Sequence, residues 1–343
     1  MGFQYVKELI SPEELKERYP LSAEMKKAKQ ERDTQIRQIF EGNDKRFIAI
    51  IGPCSADNED AVCEYIERLA KVQDKIKDKV LIIPRIYTNK PRTTGEGYMG
   101  LVHQPDPNKK ADFQEGLHAV RKMHLRAISE TGLTAADEML YPENFPYVDD
   151  LLSYVAVGAR SVEDQQHRLT VSGMDVPVGM KNPTSGDFSV MLNSCVAAQI
   201  PHTFLYRQWE VDTPGNPLTH TILRGAVNKH GQCIPNYHYE DLMRLLSMYE
   251  ARPNLKNPAV IVDANHSNSN KYFNEQPRIV QEVLHSRRVN PDLEKLVKGV
   301  MIESYLEEGS QKLSEGIYGK SITDPCLGWK DSEKLLYTIA ERI

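Results

Sequence analysis

A (β/α)8 barrel, preceded by an N-terminal helical arm and carrying an inserted β-hairpin after strand six, is the fold the sequence predicts, and three observations lead there. Short apolar, largely β-branched runs recur at residues 46–52, 80–87, 134–139, 154–159, 176–181, 202–206, 259–264 and 299–303. Each is followed within a loop by a helical pattern, which marks βαβ units and a parallel sheet buried on both faces. Eight such strands close a barrel, and 343 residues leave room for a barrel, an arm and an insertion. An open doubly wound sheet is the competing arrangement.

The elements follow in order. Residues 1–45 precede the first strand as an extension that packs on the barrel or on a neighbouring subunit. Ser11-Pro12-Glu13-Glu14 combines a cap, a proline at the first helical position and a capping-box glutamate, and Ser22 opens a charged helix ending near Gly42. Residues 46–343 form the catalytic barrel. After its first strand, Val62, Ile66, Leu69, Val72 and Ile76 recur at helical spacing. After the second, a long polar loop leads to a helix with Phe113, Leu117, Val120, Met123 and Ala127 on one face. Ser161 and Asp164 resemble a capping box, with Gly173 as the stop. The turn cluster Thr213-Pro214-Gly215-Asn216-Pro217 places the inserted hairpin within about 207–239.

Composition excludes several function classes. Lys and Arg number 43 against 48 Asp and Glu, a net charge of −5, which argues against nucleic-acid binding. There is no apolar signal core at the start and no run of 18 apolar residues, which argues against a membrane partner. Five cysteines, an odd number in a long chain, suit a reducing compartment, so a cytoplasmic location is expected.

A parallel barrel carries its site at the C-terminal ends of its strands. Those ends and their loops supply two groups of side chains. Cys54, His266, Glu303 and Asp324 form a mixed sulfur, nitrogen and oxygen set suited to a divalent transition metal, Mn²⁺ first and otherwise Fe²⁺, Co²⁺ or Zn²⁺. Arg85, Lys90, Arg92, Arg160, Lys181 and Arg224 form a cationic set in an acidic chain, which implies a small polyanionic ligand. The Thr93 and Thr94 hydroxyls complete a phosphate site. Phosphorylated carbon compounds around a Lewis acid suggest carbon–carbon bond chemistry at a carbonyl.

Gly-Pro-Cys-Ser at 52–55, Lys-Pro-Arg-Thr-Thr at 90–94, Gly-Ala-Arg at 158–160, Ile-Leu-Arg-Gly at 222–225 and Ser-Ile-Thr-Asp at 321–324, with Gly328-Trp329, together closely resemble type I 3-deoxy-D-arabino-heptulosonate 7-phosphate (DAHP) synthase. The resemblance implies condensation of phosphoenolpyruvate with erythrose 4-phosphate and water, giving DAHP and phosphate, the first step of the shikimate route to aromatic amino acids. Cys54, His266, Glu303 and Asp324 would then ligate the metal. Arg85, Arg160, Lys181 and Arg224 would grip phosphoenolpyruvate beside Glu138 and Ala159. Lys90, Pro91, Arg92, Thr93 and Thr94 would hold the aldose phosphate, with Lys90 also the candidate proton donor, its pKa lowered by neighbouring cations.

The chain departs from the family pattern in Gly95-Glu96-Gly97-Tyr98, one residue longer and carrying a carboxylate near the aldose-phosphate site, and in Tyr305 after Glu303-Ser304. The segments that form the feedback pocket in regulated relatives read Glu143-Asn144-Phe145-Pro146, Asp175 and Tyr206. The bulk of Tyr206 and the charge of Asp175 predict loss of inhibition by aromatic amino acids. Two other readings stand beside the synthase: a related phosphoenolpyruvate-condensing enzyme using another aldose phosphate such as arabinose 5-phosphate, and a non-catalytic phosphosugar-binding regulator. A homo-oligomer, dimer or tetramer, is expected because the polar arm can bury its few apolar residues against a neighbour.

Overall fold

The computed structural model describes residues 2–92 and 95–343. Its first helix, α1 (Pro12–Arg18), begins at a reciprocal capping box: Ser11 Oγ accepts from the Glu14 amide, and the Glu14 carboxylate accepts from the Ser11 amide. Ser22 caps α2 (Ala23–Phe40) by a one-way bond, its Oγ accepting from the Met25 amide. The apolar end of α2, with Ile36, Ile39 and Phe40, is buried in a cluster with the inward side chains of the barrel strands, so α2 plugs the barrel's N-terminal end.

Eight parallel strands form that barrel: β1 (Phe47–Gly52), β2 (Val80–Pro84), β3 (Ala135–Glu138), β4 (Leu152–Val157), β5 (Val178–Lys181), β6 (Thr219–Leu223), β7 (Val260–Asp263) and β8 (Val297–Glu303). They pair in the order β2-β1-β8-β7-β6-β5-β4-β3. The ring is completed by a parallel bridge between Arg85 and Ala136, where the Ile86 amide donates to the Ala136 carbonyl over 2.9 Å. Side chains alternate across the wall as a period-two strand requires. Ile48, Ile50, Leu81, Ile83, Tyr154, Ala156, Ile261 and Met301 fill the interior, while Ala49, Ile51, Ile82, Val155, Val262 and Ile302 face the outer helices.

Those helices are α3 (Glu59–Ile76), α4 (Phe113–Thr131), α5 (Gln165–Ser172), α6 (Phe188–Gln199), α7 (Tyr239–Glu250), α8 (Gln276–Val289), α9 (Pro291–Leu296) and α10 (Trp329–Arg342). The cap of α5 differs from expectation: Asp164, not Ser161, accepts from the His167 amide, because the chain is still in a turn at Ser161. On α4, Leu117, Val120, Met123 and Ala127 are buried as expected, but Phe113 at its first turn is 39% exposed.

The run at 202–206 is not a barrel strand. His202–Tyr206 pairs antiparallel with Trp209–Thr213 as a separate hairpin between α6 and β6, its residues alternating half-buried and exposed. The sixth barrel strand is Thr219–Leu223, all of it buried, and the short hairpin of Ala226–Val227 with Cys233–Ile234 follows it. The turn cluster at 213–217 therefore leads into β6 rather than forming a hairpin after it.

Register sets the mouth of the barrel. Pairing Ile51 with Ile302 and Gly52 with Glu303 levels the ends of β1 and β8. A Cβ at Gly52 would lie 2.4 Å from the Arg85 carbonyl oxygen, so only glycine lets β2 run on past β1 and deliver Arg85 to the same level.

Candidate active site

The strand ends enclose a cleft of about 370 Å³. On one side Cys54, Glu303 and Asp324 converge, with one donor atom from each within 4.8 Å of the others. Cys54 follows the Gly52-Pro53 end of β1, Glu303 closes β8, and Asp324 stands in the loop before α10, where Ser321 Oγ donates to its carbonyl over 2.8 Å. Lys90 Nζ sits between them, 2.8 Å from Cys54 Sγ and 2.8 Å from Asp324 Oδ2. Lys271 Nζ reaches Asp324 Oδ1 at 3.2 Å. A buried thiol beside two carboxylates is a donor set that calls for a cation of intermediate softness, and these residues fit a divalent transition metal. Glu303 is held on both faces: Gln276 exchanges two bonds with its backbone, and Asn265 Nδ2 donates to Oε2 over 2.5 Å.

The charges here determine one another. Burial opposes ionisation of Glu303, but Arg85, with Nη2 2.7 Å from Oε1, and His266 hold its pKa below the usual carboxylate range. Burial likewise works against the Asp324 charge and is outweighed by Lys90 and Lys271, so its pKa is strongly lowered. Burial, reinforced by Glu303, pushes the Cys54 thiol up.

The opposite side is cationic. Arg85 lies on the face of Tyr87, 3.7 Å from the ring centroid, and donates from Nε to the Pro53 carbonyl. Lys181, at the end of β5, is 3.2 Å from Glu138 Oε2 and 3.8 Å from Asp263 Oδ2. Arg224 follows β6, anchored through its own amide to Asn182 Oδ1. Burial and Arg160, despite the charge of Asp263, lower the Arg224 pKa. Arg85 Nη1 and Arg224 Nη1 are buried without a hydrogen-bond partner among the described residues. Two guanidinium groups with donors left over in one cleft form a receptor for an anion, since such donors are costly to bury unmatched. Arg92, Pro91, Ala159 and Arg160 line the same cleft, and Arg160 is exposed.

The model of the DAHP synthetase I family matches residues 19–337. The chain belongs to this family. It is 37% identical over 346 residues to a phospho-2-dehydro-3-deoxyheptonate aldolase of Haemophilus influenzae, covering 98% of this chain and 92% of that protein. It is 37% identical over 347 residues to the Phe-sensitive aldolase of that name from Escherichia coli K12, covering 98% and 95%. The solved structure of the Francisella tularensis phospho-2-dehydro-3-deoxyheptonate aldolase superimposes with a TM-score of 0.92 at 31% identity, covering 100% of this chain and 98% of that one.

Within this DAHP synthetase I fold, three of the four expected metal ligands converge and His266 borders them. Its Nδ1 lies 2.8 Å from Asp263 Oδ2 and its Nε2 3.9 Å from Glu303 Oε1, at a backbone φ of 48°. Lys90 also departs from expectation. Burial alone would lower its pKa, but the thiol of Cys54 and the carboxylates of Asp324 and Glu303 raise it. Its nearest neighbours are a thiol and a carboxylate, not the cations the sequence suggested. Thr93 and Thr94 lie outside the described residues.

Sequence reasoning did not single out Tyr87, Asp263, Asn265, Gln276 or Lys271. Tyr87 had a signal, because Arg85 and Tyr87 are two residues apart on one strand and must share a face. Asp263 closes β7, buried, its pKa lowered by His266 and Lys181 against the opposing effect of burial. Gln276 lies at the start of α8, where nothing in the local pattern points to Glu303.

Proposed function

We infer that this chain is a DAHP synthase, catalysing the metal-dependent condensation of phosphoenolpyruvate with erythrose 4-phosphate and water to give DAHP and phosphate. The observation that carries this reading is the juxtaposition, in one cleft, of the Cys54-Glu303-Asp324 cluster with the unmatched donors of Arg85 and Arg224. Family membership supports it, as does the name its curated relatives share.

In the mechanism that follows, Arg85, Arg160, Lys181 and Arg224 bind phosphoenolpyruvate. Glu138 holds Lys181 in place through its 3.2 Å contact. Lys90, Pro91 and Arg92, with Thr93 and Thr94, bind the aldose phosphate. Cys54, Glu303, Asp324 and His266 would hold a divalent metal, which would supply a Lewis acid for the aldehyde oxygen. His266 would join the other three through Nε2, which lies 3.9 Å from Glu303 Oε1, while Nδ1 stays on Asp263. The enol carbon attacks the aldehyde carbon, and Lys90 donates a proton to the oxygen that becomes the new hydroxyl. Water adds to the carbon left electron-poor, and the resulting hemiketal phosphate loses phosphate by C–O cleavage. Mn²⁺ is the metal we propose, ahead of Fe²⁺, Co²⁺ and Zn²⁺.

We further propose a cytoplasmic homo-oligomer. Five cysteines free of disulfides support the compartment, and no helix among the described residues is long and apolar enough to cross a membrane.

Phosphate release from phosphoenolpyruvate is the test. Release is expected with erythrose 4-phosphate and not with arabinose 5-phosphate, lost on EDTA treatment and restored by Mn²⁺. Release with arabinose 5-phosphate alone would reassign the aldose, and no release with either sugar in metal-replete protein would favour the regulator.

A further inference from the structure

Asp137 has no part in the scheme above, yet its carboxylate is fully buried at the end of β3, immediately before Glu138. Oδ1 accepts from the Thr88 amide over 2.9 Å and from the Glu138 amide over 2.7 Å, and Oδ2 accepts from the Thr88 hydroxyl. None of these donors is charged, and the neighbouring Glu138, of its own sign, pushes the Asp137 carboxyl further up. A buried carboxylate held by neutral donors alone opposes stability, so what it holds in place calls for an explanation.

Thr88 stands two residues before Lys90, where β2 has run on past its last ladder pair and the chain turns into the loop over the cleft. Beyond the Arg85–Ala136 bridge, the backbone of this stretch is fixed by the Ala56 amide donating to the Tyr87 carbonyl, the Val102 amide donating to the Thr88 carbonyl and, past Thr88, the Lys90 amide donating to the Met99 carbonyl over 3.0 Å. Its one side-chain attachment to the β3 end is the Thr88–Asp137 pair. A lysine side chain is long and flexible, so the position of its ammonium depends on how firmly its backbone is held. Misplacing a reacting group by about 1 Å costs on the order of a hundredfold in rate.

We propose that Asp137 and Thr88 form a buried clamp that positions Lys90 for the aldose phosphate. Both are positioning residues, since neither lines the cleft. The proposal rests on the reading of Lys90 as an aldose-side group. The carboxyl of Asp137 is pushed up to about 7, by burial before all else, which agrees with a group whose environment offers hydrogen bonds but no counter-charge.

Three variants of the full, metal-replete chain test the clamp: Thr88→Val, which keeps the shape and removes the hydroxyl; Thr88→Ser, which restores it; and Asp137→Asn, which removes the charge at nearly constant volume. Amide hydrogen exchange across residues 88–92 is the first readout, and it needs no substrate. The KM for erythrose 4-phosphate, kcat and the dissociation constant for phosphoenolpyruvate are the second. In Thr88→Val and Asp137→Asn, exchange is expected to quicken and the aldose KM to rise, each about tenfold, as the loss of one buried hydrogen bond allows. Phosphoenolpyruvate binding stays within about twofold by the same reasoning, and Thr88→Ser returns toward wild type. Unchanged exchange in both variants would overturn the clamp, as would phosphoenolpyruvate binding that weakens as much as the aldose KM rises. Wild-type chain inactive with erythrose 4-phosphate would overturn the functional reading instead, and exchange alone would then decide the clamp.

Discussion

Lys90 is where charge, position and chemistry meet most closely. With Nζ 2.8 Å from both a thiol and a carboxylate, its ammonium is held by Cys54 and Asp324 and remains protonated through the working pH range. Lys90→Met removes the charge and the proton while keeping the apolar stem. Turnover is expected to vanish while phosphoenolpyruvate binding, which depends on Arg85, Lys181 and Arg224, stays within a few-fold of wild type; retained turnover would show that Lys90 only holds phosphate. Much at this scale was legible in the sequence, because each of these residues stands at or just past a strand end and strand ends converge on one mouth. What was not legible depends on long-range partners. The support of Glu303 by Gln276, 27 positions away, is a product of packing that no local spacing encodes.

Among the elements, β6 and the hairpin before it show where pattern reading stops. Residues 202–206 carry the β-prone composition of a barrel strand, but their half-exposed alternation belongs to a hairpin on the outside. Thr219–Leu223 reads as polar in the sequence and is wholly buried, because Tyr154 meets His220 at 2.8 Å and Thr221 Oγ1 donates to the Ala259 carbonyl. His220 also lies against Phe40 of the α2 plug, ring centroids 4.2 Å apart. Burial lowers its pKa to about 4, below the ordinary value near 6.5, so the fold holds it neutral. For a base depressed in the folded state, the stabilising contribution is complete above the unfolded pKa and fades as pH falls from about 6.5 toward 4, a loss of about 2 kcal/mol by pH 5. Denaturant unfolding of wild type and His220→Gln at pH 7.5 and about pH 5 should show that much less acid sensitivity in the variant, and equal sensitivity would place the acid response elsewhere. The outer hairpin carries a second expectation. Its tip is tied to α1 by the bidentate Arg207–Glu13 pair, and Tyr206 packs beside Phe204. With a large ring in place of a small residue there, millimolar phenylalanine, tyrosine or tryptophan is expected to leave the rate unchanged, and inhibition by any of them would show that the pocket has re-formed around Tyr206.

Over the whole molecule, a net charge of −5 conceals a division of labour. Surplus acid lies over the surface, while the cleft gathers cations whose unmatched donors await an anion. This arrangement draws small phosphorylated substrates to one end of the barrel. Apolar exposure is as uneven as charge. Phe3, Tyr5 and Val6 are 98%, 97% and 88% exposed, and on the outer hairpin Leu205 and Trp209 are 76% and 73% exposed. Large side chains left in water on two separate segments of one chain are the usual mark of a surface covered by a partner, and a second copy of the same chain would cover both by symmetry. The first segment is held to its own barrel by the Lys7–Asp112 ion pair, the Ile10 amide on Gln114 Oε1 and the Tyr147 hydroxyl on the Ile10 carbonyl, all at or beyond Lys7, so Phe3, Tyr5 and Val6 are left for a neighbour to cover. Sedimentation of the full chain is expected to show a dimer or tetramer, and removal of residues 1–9 to lower that order while α1 and its capping box, which begin at Ser11, stay intact. Trp209 gives an independent readout: if the hairpin is covered in the assembly, its fluorescence should shift to longer wavelength when the order falls. A full-length chain that sediments as a monomer, with Trp209 already fully solvated, would assign the exposed arm some role other than assembly.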